Sequence, residues 1–201
     1  MTLALPAGIT LYFARHGQTE ANVEKRFSGF KDTPLTALGL RQAASVGHIL
    51  KRALGDAQGF AFVSSPLARA VATMRIAREA MGLPADGFAT DNRLKEINLG
   101  VWDQLTDEEA KALSPILFEQ RGNDKWHVRV PGGENYAEVA ARLTDWVHEL
   151  RHDTVAISHG AAIRILRGLL AGQDWRAMSA LDEPQGVVFR ATGSSVERLD
   201  P

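Results

Sequence analysis

The chain has no cysteine among its 201 residues. That excludes disulfides, thiolate metal sites and a cysteine nucleophile together. It has no G-x-x-x-x-G-K-[ST] stretch, so it carries no P-loop, and no G-x-S-x-G, so the usual α/β-hydrolase elbow is absent. Charge of one sign is also missing: the formal net charge is -1, and the sequence pI is near 6.6. A general nucleic-acid binder usually carries a basic excess, so no nucleic-acid partner is expected and any cationic function is local. No apolar run is long enough to span a bilayer, so no membrane partner is expected either. The start, Met1-Thr2-Leu3-Ala4-Leu5-Pro6, lacks the basic region and long apolar stretch of a signal peptide, and a cytoplasmic setting is the expectation.

What is present is ordinary globular material, 45% hydrophobic and 23% charged. A chain of this length can bury one proper core, and a single domain over 1–201 is the simplest count. Ile9 to Phe13 is apolar, β-branched and aromatic, which predicts a buried strand. It stops at Arg15-His16-Gly17, poor material for a core and good material for a strand end that opens onto a ligand. A polar loop follows from Gln18 to Asp32. Thr36 is a plausible N-cap for a helix carrying Leu40, Ala43, Ala44, Gly47 and Leu50. A second strand, Phe60 to Val63, leads into a helix from about Leu67 to Met81, closed by Gly82 and Pro84. Arg69 lies in the first turn of that helix, where the dipole opposes a cation unless an anion is near.

Thr106 with Glu109, and Asn135 with Glu138, read as capping boxes. The second opens a helix with Tyr136, Val139, Ala140, Leu143, Trp146, Val147 and Leu150 on one core face. Between the two helices, Ser114 to Val130 has no clear period and reads as irregular. The larger segment 103–131 is a candidate lid or specificity insertion, with Phe118, Arg121, Trp126 and Arg129 as candidate contacts. A third strand, Thr154 to Ile157, ends at Ser158-His159-Gly160 before a helix from Ala161 to Leu170. The chain closes on a hairpin around Thr192-Gly193.

Strand, polar end, helix thus occurs three times, and the fold class is α/β with a mostly parallel sheet. Parallel strands put Arg15, His16, Arg69 and His159 at one rim. Such a site suits a phosphoryl dianion, because a guanidinium donates two parallel hydrogen bonds to two oxygens. In that site His16 is the neutral nucleophile, and His159 is expected to keep its proton beside the dianion. Glu96 is the candidate acid for the leaving alkoxide. Its bland alternative is a surface glutamate paired with Lys95 or Arg93. A metal-dependent alternative uses His148 and His152, spaced i,i+4 on one helix.

Five ordered blocks carry a resemblance that covers about residues 11 to 165. They are Arg15-His16-Gly17 with Thr19, Glu20, Asn22, Phe27-Ser28-Gly29, Asp32, Pro34-Leu35-Thr36 and Gly39; Ser64-Ser65-Pro66-Leu67-Ala68-Arg69-Ala70 with Thr73; Arg93-Leu94 and Glu96 with Leu99-Gly100 and Trp102; Pro131-Gly132-Gly133-Glu134; and Ser158-His159-Gly160. Together they resemble the histidine phosphatase superfamily, the phosphoglycerate-mutase-like branch. The resemblance implies a three-layer α/β/α sandwich and no metal or other cofactor. It implies His16 as the phosphorylated nucleophile, Arg15, Arg69 and His159 as the phosphate pocket, and Glu96 as proton donor. It implies Asn22 and the backbone of Ser28 and Gly29 as further contacts. The expected activity is phosphatase action on a small phosphomonoester metabolite. Mutase-type phosphoryl transfer and a non-catalytic phospho-ligand-binding domain stand as alternatives, and a homodimer is left open. Asp103-Gln104 departs from the Glu-Gly usual in relatives and is expected near the substrate side. Asn135 replaces a serine, a mild change because it still caps a helix.

Overall fold

The protein is described by a computed structural model over residues 3–201. In chain order its elements are β1 (Thr10–Arg15), α1 (Glu20–Val23), α2 (Ala37–Leu54), β2 (Ala61–Ser64), α3 (Ala68–Met81) and β3 (Ala89–Thr90). Then come α4 (Asp107–Leu113), α5 (Pro115–Asn123), α6 (Tyr136–His148), β4 (Thr154–Ser158), α7 (Gly160–Leu170), α8 (Trp175–Ser179), β5 (Val188–Thr192) and β6 (Ser195–Leu199). The six strands form one sheet in the order β3-β2-β4-β1-β5-β6. The pairs β1 with β4, β2 with β4 and β2 with β3 are parallel. The closing hairpin β5–β6 pairs antiparallel along β1.

Period-two alternation along the central strands feeds two cores, one per face of the sheet. Leu11 and Phe13 of β1 and Ala156 of β4 face the layer that contains α6 and α7. Tyr12 and Ala14 of β1, with Val155 and Ile157 of β4, face α2 and α3. The result is the expected three-layer sandwich. It needs a tight approach where α2 begins, because a Cβ on Gly17 would collide with the Gly39 backbone.

Capping explains several helix starts. Thr36 accepts from the Gly39 N–H, and the boxes at Thr106 and Asn135 are both formed. Thr19 caps α1 with Asn22 at the third position, so the expected polar loop 18–32 contains a one-turn helix. The expectation for Ser114 to Val130 is corrected in the same way. Nine of its residues form α5, with proline near its start and no side-chain cap at Ser114. Helix α6 ends at His148 with Glu149 as its cap, so His152 lies beyond it and the i,i+4 pairing premise fails. Among the described residues no cluster of three or more His, Asp or Glu could hold a metal ion. No helix among the described residues is long and apolar enough to cross a membrane.

Candidate active site

Strand ends β1, β2 and β4 are neighbours in the sheet and point the same way, so the segments after them meet at one rim. His16 follows β1 and His159 follows β4. Their ring centroids are 5.1 Å apart, and both rings are buried. His16 Nδ1 is 2.7 Å from the Gly17 carbonyl oxygen, an acceptor that requires the proton on Nδ1. The lone pair is therefore on Nε2, which accepts from Arg69 Nε at 3.3 Å. One backbone carbonyl thus selects the tautomer whose lone pair is on Nε2.

Burial, and then the charges of Arg15 and Arg69, hold the His16 pKa well below its usual value. His159 was expected to keep its proton beside a bound dianion; the protein's own groups, burial and then Arg69, His16 and Arg15, push its pKa well down too. The same guanidiniums act on both rings, and no carboxylate touches His159. Its Nε2 meets Ser65 Oγ at 2.7 Å, and its buried Nδ1 has no partner.

Glu96 is a buried residue of the same cavity. Its two oxygens accept from the backbone N–H groups of Ile97, Ala161 and Ala162, the last two in the first turn of α7. Burial, with Glu183 second, raises its pKa against the pull of the Ile97 N–H and of Arg69 and Arg15. The surface-glutamate alternative is overturned. Lys95 and Arg93 do not bond its carboxyl, and Arg93 pairs instead with Asp91 and Glu149.

Arg69 is placed differently from its expected role as a free clamp. Its Nε faces His16, one terminal nitrogen donates to Lys31 O and Asp32, and the other donates to Ser28 O and Gly29 O. All five N–H groups are engaged within the protein. The anion that a cation at this helix start called for is Asp32, whose oxygens also accept from the Ala68 and Arg69 N–H groups. The carbonyls of Ser28 and Gly29 serve Arg69, and the Gly29 N–H donates to Asp103 rather than standing free for phosphate, while Ser28 lines the cavity. Asp103 also accepts from Phe30 and Lys31, so it braces the loop that holds Arg69 and does not line the cavity.

Arg15 donates to the Glu183 carbonyl at 2.7 Å and keeps a buried Nε without partner. Asn22 lines the cavity with its Oδ1 bound to the Thr19 N–H and to Gln185. Its amide NH2 has no protein acceptor among the described residues.

The cavity encloses about 470 Å³. Beyond Arg15, His16 and Glu96, its walls come from Phe27, Trp102 and from Phe118 and Arg121 of α5. Trp126 and Arg129 do not reach it. Trp126 packs on the core, and Arg129 pairs with Glu138. Sequence reasoning missed Lys125, Tyr136, Arg164 and Glu183, all of which line the cavity. Arg164 was findable as the one cation among Ala161 to Leu166. It pairs with Glu183 at 2.9 Å and donates to the Tyr136 hydroxyl at 3.2 Å. Glu183 sits in a loop with no pattern to mark it. Arg15, Arg121 and Arg164 all line the cavity, and each keeps a buried Nε without a partner among the described residues. Unmet buried donors of one sign mark a site for an acceptor-rich ligand.

A buried imidazole pair, a fixed His16 tautomer and a buried acid thus meet at the carboxyl ends of parallel strands. The family model described as histidine phosphatase superfamily (branch 1) matches residues 11–191, and the chain belongs to that family of phosphatase-type enzymes. The protein named probable phosphoglycerate mutase GpmB of Yersinia pestis (strain Pestoides F) is 33% identical over 175 residues, covering 82% of this chain and 75% of that one. A mycobacterial glucosyl-3-phosphoglycerate phosphatase structure superposes with a TM-score of 0.75 at 29% identity, over 90% of this chain and 89% of that one. The alpha-ribazole phosphatase of Shigella flexneri superposes with a TM-score of 0.78 at 24% identity, over 96% of each chain, a likeness of fold.

Proposed function

We propose that this chain hydrolyses a small phosphomonoester through a phosphohistidine on His16. The observation that carries it is the pinned tautomer of His16, in the same cavity as Glu96, an acid whose pKa burial raises. Nε2 attacks phosphorus, the P–O bond to the alcohol breaks, and the Glu96 carboxyl gives its proton to the departing alkoxide. Water then attacks phosphorus, Glu96 takes back a proton, and phosphate leaves as the Nε2–P bond breaks. The Arg15 guanidinium and the Asn22 amide NH2, both on the cavity wall, are the donors for the equatorial oxygens. Arg69 acts by pulling on the Nε2 lone pair until a phosphoryl oxygen competes for its Nε–H. A dianion in this pocket supplies a counter-charge beside His159, and so lets it take up a proton as a further donor. The segment 103–131, through Phe118 and Arg121, is the lid and the specificity wall of this single domain.

Phosphatase is preferred to mutase on the solved relative at 29% identity, whose name is that of a phosphatase. Rapid mixing with a phosphomonoester, a quench and mass spectrometry should find a phosphoryl adduct on the His16 peptide. His16→Ala should lose it, with a fall in turnover on the order of 10⁴-fold or more. Phosphate release that persists in His16→Ala would refute the proposal. Phosphoglycerate interconversion outrunning phosphate release would make the enzyme a mutase.

A further inference from the structure

Gly122 is the penultimate residue of α5. A helical glycine costs up to about 1 kcal/mol relative to alanine, so its place there needs a reason. Its backbone supplies none, for its φ is not in the left-handed range. Packing supplies none either, since a Cβ on Gly122 would meet no heavy atom within 4 Å. What its missing side chain leaves is free space at a junction. Gly122 and Lys125 line both the catalytic cavity and a neighbouring one of about 280 Å³.

The second cavity is bounded by Trp175 and Arg176 of α8. The Arg176 guanidinium carbon lies 4.3 Å from the centroid of the half-buried Trp175 ring. An indole with a guanidinium carbon over its ring offers aromatic and cationic surface suited to a planar ring. Lys125 makes no side-chain hydrogen bond or ion pair to any described residue, so its ammonium is available at the crossing point. Simple phosphomonoesters would fill the first cavity and leave this surface unused.

We propose that the substrate is elongated, with a ring-bearing tail that leaves the His16 cavity past Gly122 and Lys125 and stacks on Trp175–Arg176. The inference rests on the phosphatase reading of the His16 cavity. Its occupant is a phosphomonoester whose alcohol carries a planar ring at some distance from phosphorus.

Phenylalkyl phosphates with spacers of increasing length, each set against the n-alkyl phosphate of equal length, test this. Beyond a threshold spacer the phenyl ester should gain about tenfold in kcat/KM, through KM. Trp175→Ala, outside the catalytic cavity, should erase that gain and leave the n-alkyl esters within about twofold, and Gly122→Leu, which closes the junction, should erase it as well. Gly122→Ala, which adds only a methyl group in open space, should melt no lower than the parent and serve as the folding control. No gain at any spacer length, or a gain that survives Trp175→Ala, overturns the inference. If no ester is turned over, the phosphatase reading fails by itself. Calorimetric Kd values for the same esters on the His16→Ala chain then decide the subsite. A phenyl advantage that Trp175→Ala removes supports it, and equal Kd values for phenyl and alkyl esters overturn it.

Discussion

Burial of two neutral imidazoles makes the fold itself sensitive to acid, and the size of the effect can be worked out. His16 and His159 both have folded pKa values well below the unfolded value of 6.5. The unfolded chain therefore binds their protons first. Stability is unaffected by these groups well above pH 6.5, falls as pH drops below it, and levels only at the depressed folded values. Between about pH 6.5 and 5.5 each ring costs about 1 kcal/mol, and the pair about 2 kcal/mol. Out of a total of roughly 5–15 kcal/mol, that is a large fraction. The assay is urea unfolding at several pH values on the parent and on the double variant His16→Gln/His159→Gln. His48, His127, His148 and His152 are present in both chains and cancel in the difference. Glu96 is also common to both. Its raised pKa acts with the opposite sign, giving stability that is full below about 4.5 and lost as pH rises through the folded value. The parent should lose about 2 kcal/mol more than the double variant over that one pH unit. Parallel losses would mean that the rings titrate as they do in water, and the claim of a neutral nucleophile would fall with them.

Glu96→Gln should slow alkyl phosphates by about a hundredfold or more and spare p-nitrophenyl phosphate, whose leaving group needs no proton, as steady-state kinetics on both will report. The same substitution also sets an amide NH2 against backbone N–H donors, so its melting temperature should be measured alongside. Asp103→Ala removes the acceptor for three loop N–H groups, at 2.8, 3.1 and 3.0 Å, and should cost about 1–3 kcal/mol. It should also cut kcat/KM by about tenfold, because Arg69 loses firm hold of the Ser28 and Gly29 carbonyls. Denaturant midpoints and initial rates together test this, and unchanged rates would sever Asp103 from the site.

Much of the frame was legible because each local signal agreed with the next. Thr36, Thr106 and Asn135 announce helices that start one residue later. The apolar runs before Arg15 and Ser158 announce strands buried on both faces. Helix α5 was illegible for a matching reason: Ser114 makes no cap, the apolar residues keep weak helical spacing, and a glycine sits near its end. Helix α1 was hidden because its box is closed by Asn22 rather than by the Glu or Gln that usually marks one.

By itself the sequence determined which strands end in cations and imidazoles, and hence that Arg15, His16, Arg69 and His159 share a rim. It did so because parallel β-α-β order fixes the side on which strand ends fall. Only the tertiary structure decided what each group is doing there. Asp32, 37 positions before Arg69, takes up the guanidinium meant for an anion. The Gly17 carbonyl chooses the tautomer, and Glu183 arrives from the far end of the chain to pair with Arg164. Those partners are set by which backbone and side chains crowd one small volume, and no local periodicity encodes that.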